Sequence, residues 1–251
     1  MRTAERSPDD AGGAGHHADA LRRAAHRARH LVRSHRWLRK PLGWASRQVG
    51  LAPVGSTLHR LLGPIRGYIR GEMGPAEVVR VLDAFQEAGL RFWVTGGWGV
   101  EALVRAQTRT HDDLDLVLAE YERSEPAARK VLGSLGYVHL FSTRDDSCQM
   151  PRCSSFEDAV GHRVELVSLA WEWLAAELGI VVKAGGPVPD HLVQAVSAVG
   201  MVGDRQVPCL SADAQVFLHS NYRLRLVQRH DLATLARSFP ESKVVLSGRA
   251  R

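Results

Sequence analysis

Residues 113–119 read DLDLVLA: acid and leucine alternate, and then the run becomes wholly apolar. Side chains two apart on a strand share a face. The pattern predicts a β-strand that presents Asp113 and Asp115 together and turns Leu114 and Leu116 to the other side, into a core. Two parallel carboxylates this close repel unless a cation lies between them. An all-oxygen ligand set suits Mg²⁺, which takes one or two carboxylates together with substrate phosphates. A D-x-D by itself is common at solvent-exposed strand starts, so its surroundings decide.

Those surroundings are chemically specific. The short run RFWVT (91–95) predicts a strand, and Gly96-Gly97 joins it to a helix, WGVEALVRA (98–106). Glycine there lets backbone N–H groups approach a phosphate, and the helix N-terminus adds a favourable dipole. A third acid, Glu165, lies in GHRVELVSL (161–169), another expected strand. If that strand neighbours residues 113–118, Glu165 completes the metal site or serves as general base.

The rest of the chain supplies a scaffold. GPAEVVRVLDAFQEAGL has Pro75 at the first helical position, apolar residues at helical spacing and Gly89 as its stop. SEPAARKVLGSLG (124–136) reads as helix, and YVHLFS and SCQMP as strands that could pair. SADAQVFLHSNYRL (211–224) reads as a helix opened by a Ser N-cap, and RHDLATLARSF (229–239) as another. Residues 170–208 read as a short helix and Gly/Pro-rich connections. The class is α+β, with a mixed sheet of about four or five strands.

GGWGVEALVRAQTRTHDDLDLVL resembles the GG-W…R-x-H-x-D-L-D signature of the aminoglycoside and lincosamide nucleotidyltransferases, within the DNA polymerase beta-like superfamily. The likeness extends to GHRVELVSL and to DAQVFLHSNYRLRLVQRHDLATL, and covers roughly Gly74 to Phe239. It implies a nucleotidyltransferase fold: a mixed β-sheet with flanking helices and a C-terminal helical part. It also implies that Gly96 and Gly97 hold a nucleoside triphosphate, ATP being the first choice. Asp113 and Asp115 would bind Mg²⁺, with Glu165 a third ligand or the base that deprotonates the attacking hydroxyl. Arg109 and His111 match the family's R-x-H and would neutralise phosphate charge; the alternative for them is an ion pair in the helix–strand connector. Glu165 stands where relatives more often have Asp, and Val167 where they often have His.

Weaker candidates follow. His219 and Tyr222, one helical turn apart, could reach the substrate side, and core packing serves them equally well. Asp231 could bond nucleotide or hold structure. Cys148 and Cys153 could ligate zinc, but no second pair accompanies them. Trp93, Trp98, Trp171 and Trp173 read as core and lid packing, with stacking on a base open to one of them.

The charge is unevenly spread. Residues 1–70 hold 14 of the 33 Lys/Arg and only 4 of the 27 Asp/Glu. The organisation expected is a basic N-terminal extension, 1–73, partly disordered or helical; a nucleotidyltransferase core, 74–208; and a C-terminal helical part, 209–251. Residues 19–48 suggest an anionic partner, nucleic acid or membrane surface, or a solvated helix packed on the body. The mildly acidic body suits a cationic small-molecule acceptor, and Glu157 and Asp158 are spare acids for it. There is no apolar run long enough to span a bilayer and no secretory signal pattern, so a cytoplasmic enzyme is expected. Alternatives are a toxin-like nucleotidyltransferase acting on RNA or protein, and a nucleotide-binding module without catalysis.

Overall fold

A computed structural model describes residues 72–159, 161–183, 188–219, 224 and 226–242. The basic segment 19–48, with the anionic partner expected for it, and Tyr222 lie outside these residues. Among the described residues seven strands form one mixed sheet, in the order β3-β4-β5-β2-β1-β7-β6. They are β1 (Phe92–Thr95), β2 (Asp113–Leu118), β3 (Val138–Arg144), β4 (Arg152–Glu157), β5 (Arg163–Val167), β6 (Ser197–Val202) and β7 (Arg205–Leu210). β1 pairs antiparallel with β2 and parallel with β7, and β2 pairs parallel with β5. β3–β4–β5 and β6–β7 are antiparallel.

Two apolar clusters sandwich the sheet. On one face, Leu114, Leu116 and Leu118 of β2, with Val94, Phe156, Val164 and Leu166, pack beneath α1 (Pro75–Glu87), α2 (Gly96–Val104) and α3 (Tyr121–Ser134). On the other, Trp93, Val117, Val167 and Leu210 pack beneath α4 (Trp171–Leu178), α5 (Asp190–Val196) and α6 (Ala212–Leu218). A smaller cluster joins Val100 of α2 and Val216 of α6 to Leu232 and Leu235 of α7 (Leu226–Ser238). β2 is therefore apolar on both faces at its C-terminal end and on only one at its start.

The local stop and start signals act as expected. Pro75 opens α1, and Gly89 at φ +69° follows its end. Ser211 Oγ accepts from Ala214 N and caps α6. The β6–β7 hairpin, by contrast, occupies ground read as connections. Gly200 and Pro208 break its strand pattern and Val199 is exposed, while Gly203 at φ +60° sits in its turn. The expected strand SCQMP is a turn, and the partner of β3 starts later, at Arg152. No helix among the described residues is long and apolar enough to cross a membrane.

Candidate active site

Register places the acids. Thr95 pairs with Asp115, Asp115 with Glu165, Glu165 with Ser155, and Ser155 with Phe141. Paired residues point the same way, so these five side chains form one row across β1-β2-β5-β4-β3. The next row outward is Asp113, Arg163, Glu157 and Val138. The next row inward is Trp93, Val117, Val167, Cys153 and Thr143, which α4–α6 largely cover. This sheet face turns from apolar to acidic at the Thr95 row, where Thr95 itself is buried and its hydroxyl donates to Gln215 Oε1 of α6 at 3.0 Å. Asp113, Asp115 and Glu165 are half-buried there. The oxygens of the three are not all within 4.8 Å of one another; among the described residues that closeness belongs to Glu77, Asp158 and His162.

The charge of the row is felt by its neighbour. Burial pushes the Cys153 thiol up to about 12, and the negative charge of Glu165 and Asp115 adds to the effect. Among the described residues the group of close ligand atoms includes neither Cys148 nor Cys153.

The Gly-Gly turn meets the row at β1. Gly96 has φ +62°, and a Cβ built on it would overlap Oδ2 of Asp115. Glycine is required twice over, by conformation and by space. The Asp115 carboxylate thus lies against the first residue of α2, where the helix dipole favours negative charge. Gly96→Ala is expected to cost at least about 1–2 kcal/mol, read as a lowered urea midpoint, and to displace Asp115.

Arg109 and His111 stand under the same turn. A Cβ on Gly97 would overlap Nη2 of Arg109 and Nδ1 of His111. Both side chains are buried; Arg109 is fully engaged, whereas neither ring nitrogen of His111 makes a hydrogen bond among the described residues. Arg109 donates from Nε and Nη2 to the two oxygens of Asp231, each at 2.8 Å, and from Nη1 to Thr110 O at 3.0 Å. Burial opposes the charge of Arg109, but the bond and charge of Asp231 outweigh it and raise its pKa. His111 Nε2 lies 3.0 Å from Glu101 Oε2, and its ring lies 4.7 Å from that of Trp98. Glu101 Oε1 accepts from the backbone N of Thr108 at 2.7 Å and of Arg109 at 2.9 Å. Glu101 was not among the sequence candidates. Its signal is a lone acid inside the apolar helix WGVEALV.

The remaining candidates disperse. Asp231 is 2% exposed and faces Arg109. His219 is buried at the end of α6, its Nδ1 3.0 Å from Gln215 O. Trp93 and Trp98 are core, whereas Trp173 is half-exposed. Val167 is buried in the second apolar cluster. Of the spare acids, Glu157 stays on the acidic face, bonded to Arg163 Nη2 at 3.3 Å. Asp158 joins a network with α1: it holds His162 Nδ1 at 2.8 Å, while Glu77 holds Arg80 and, at 2.7 Å, the hydroxyl of Tyr137.

That network has a pH signature. The bond to Asp158 holds His162 above its ordinary pKa despite burial. Burial pushes Asp158 up, but His162 and two backbone N–H groups bring it below its ordinary value. The His part is complete below the unfolded value of about 6.5 and is lost as pH rises through the raised folded value. The Asp part is complete above about 3.9 and is lost as pH falls through the depressed one. His162→Gln is expected to cost about 0.5 kcal/mol between about pH 4 and 6.5, and less at higher pH. Denaturation midpoints across pH check this.

Cavities of about 620 and 640 Å³ lie elsewhere, one at the C-terminal end of β2 beside Tyr121 and Trp171, the other beside Phe92 and Val207.

Comparison with known proteins defines first a class. The fold is shared with the crystal structure of ANT(2'')-Ia in complex with adenylyl-2''-tobramycin, at TM-score 0.50 and 17% identity over 70% of this chain and 95% of that one. A family model described as aminoglycoside-2''-adenylyltransferase matches residues 77–235. The chain belongs to that family and is a nucleotidyltransferase. A lincosamide resistance protein of Staphylococcus haemolyticus is 25% identical over 63% of this chain and 92% of its own length. A 2''-aminoglycoside nucleotidyltransferase of Escherichia coli is 27% identical over 57% and 71%.

Proposed function

We propose that the protein transfers a nucleoside monophosphate from a nucleoside triphosphate, ATP by preference, to a hydroxyl of a small antibiotic-like acceptor of aminoglycoside or lincosamide type, releasing pyrophosphate. The observation that carries the reading is the in-register row that sets Asp115 beside Glu165 and against Gly96, with Asp113 two residues along. The donor set fits Mg²⁺: three carboxylates, half-buried, on one sheet face, with no nitrogen or sulfur donor among them. Asp113, Asp115 and Glu165 are the residues that would hold it, and a bound Mg²⁺ would supply charge neutralisation at the phosphates.

The chain's own groups do the remainder. The start of α2 offers backbone N–H groups and a positive dipole end to the triphosphate at Gly96-Gly97. Glu165 lies on the far side of Asp115 from that turn, where it can accept the proton of an attacking hydroxyl. Arg109 and His111 are assigned a positioning role. Arg109, held by Asp231, and the His111 ring, with Nε2 3.0 Å from Glu101 and Nδ1 against Gly97, brace the turn from beneath. Such chemistry asks a protein chiefly for placement and charge. Its nucleotide supply makes the cytoplasm the expected site of action.

The test is incubation with Mg²⁺, labelled nucleoside triphosphates and a panel of aminoglycosides, lincosamides and transfer RNA, with pyrophosphate release followed. Label on a drug supports the reading. Label on RNA alone, or nucleotide binding without pyrophosphate release, replaces it with the toxin-like or the non-catalytic alternative.

A further inference from the structure

The row that carries the acids does not end at Glu165. One strand further lies Ser155, buried, with an Oγ that has no hydrogen-bond partner among the described residues. One strand beyond that lies Phe141, an aromatic 46% exposed on the edge strand β3, with Val138 exposed beside it. An irregularity in β3 puts the ring there. His139 pairs with Phe156, whose side chain fills the core on the opposite face, and the register then shifts so that Phe141 meets Ser155. Strict alternation from His139 would have sent Phe141 to the opposite face. The bulge re-aims it onto the acidic one.

We infer that this far end of the row is the acceptor wall, and that Phe141 is the platform for a ring of the acceptor other than the one carrying the reactive hydroxyl. The inference rests on the transfer reading above. If the triphosphate occupies the Gly96 end, the acceptor must approach Glu165 from the other side, and that side consists of Ser155 and Phe141. Phe141 stands two strand spacings from Glu165, roughly 10 Å. That separation suits an acceptor of at least two linked rings, with the reactive hydroxyl near Glu165 and the second ring over Phe141. The acids along the row favour a cationic molecule, and an ammonium group is well placed over an aromatic face. Ser155 lies between the two contacts, fully covered, and floors the row there.

The test uses the whole chain with Phe141→Ala and Phe141→Trp, both at an exposed position where folding should hold. Tobramycin and lincomycin serve as multi-ring acceptors, and a single-ring aminocyclitol as the control. Phe141→Ala is expected to raise the acceptor KM about tenfold, leave the KM for ATP within about twofold, and leave the single-ring control unchanged. Phe141→Trp should restore the acceptor KM. An unchanged acceptor KM overturns the inference, as does a rise for ATP of the same size. A change of oligomeric state without a KM effect also overturns it and gives the edge of β3 to a second copy of the chain. Titration calorimetry of tobramycin keeps the two readings apart. Wild type that binds the drug through Phe141 without modifying it retains the wall and removes the transfer reading.

Discussion

Asp115→Asn is expected to abolish nucleotidyl transfer, by at least about a thousandfold in kcat, while leaving the protein folded and its stability little changed. Both expectations follow from where the charge lies. Asp115 and Glu165 are paired neighbours on parallel strands, and Asp113 lies two residues away on the same face. Like charges this close destabilise the fold unless something positive lies among them. A chain retains such an arrangement at a cost to stability when function needs it. Removing one charge weakens the repulsion but gives up the favourable placement at the start of α2, so the two offset in stability, while the grip on phosphate is lost outright. The amide keeps the size of the acid, so the Gly96 contact survives. Circular dichroism melting and pyrophosphate release on the same samples read both effects. Asp113→Asn should behave alike. A variant of either residue that keeps wild-type turnover removes the acids from the chemistry, and one that loses both stability and turnover makes them structural.

The parts of this site that could be read in the sequence are those whose cause is local. Alternation over DLDLVLA is a property of one strand, so the common face of Asp113 and Asp115 was visible. Pro75, Gly89 and Ser211 act on their own helix ends. Glu165 could be placed only on the condition that its strand adjoined β2, and register supplies that condition. The hairpin β6–β7 escaped because its strands lack alternation of their own. Its pairing with β1 through β7 makes it sheet. Phe141 escaped because a bulge, which pattern does not show, decides its face. Arg109 and His111 were legible as a motif. Their partners were not: Asp231 lies 122 positions from Arg109, and Glu101 hides in an apolar helix.

The pair Arg109–Asp231 makes the second large prediction. Both groups are buried, and both oxygens of the carboxylate are met by the guanidinium. Truncating one partner leaves the other as an uncompensated buried charge, which costs about 3–5 kcal/mol. Arg109→Ala and Asp231→Ala are each expected to lower stability by that amount in urea denaturation. Arg109→Lys should recover little, because an ammonium cannot make two parallel bonds to one carboxylate while a third goes to Thr110 O. Arg109→Met with Asp231→Leu removes both charges together and should be far more stable than either single alanine variant, as buried pairs replaced by apolar residues often are. The kinetics separate bracing from phosphate contact. A side chain that touches the triphosphate would, when lost, raise the KM for ATP whatever the partner. A brace beneath Gly97 instead loses turnover in proportion to the folded fraction, and the double variant recovers it. Recovery of stability in the double variant without recovery of the ATP KM would put Arg109 at the phosphates after all, despite Asp231 holding it in the structure.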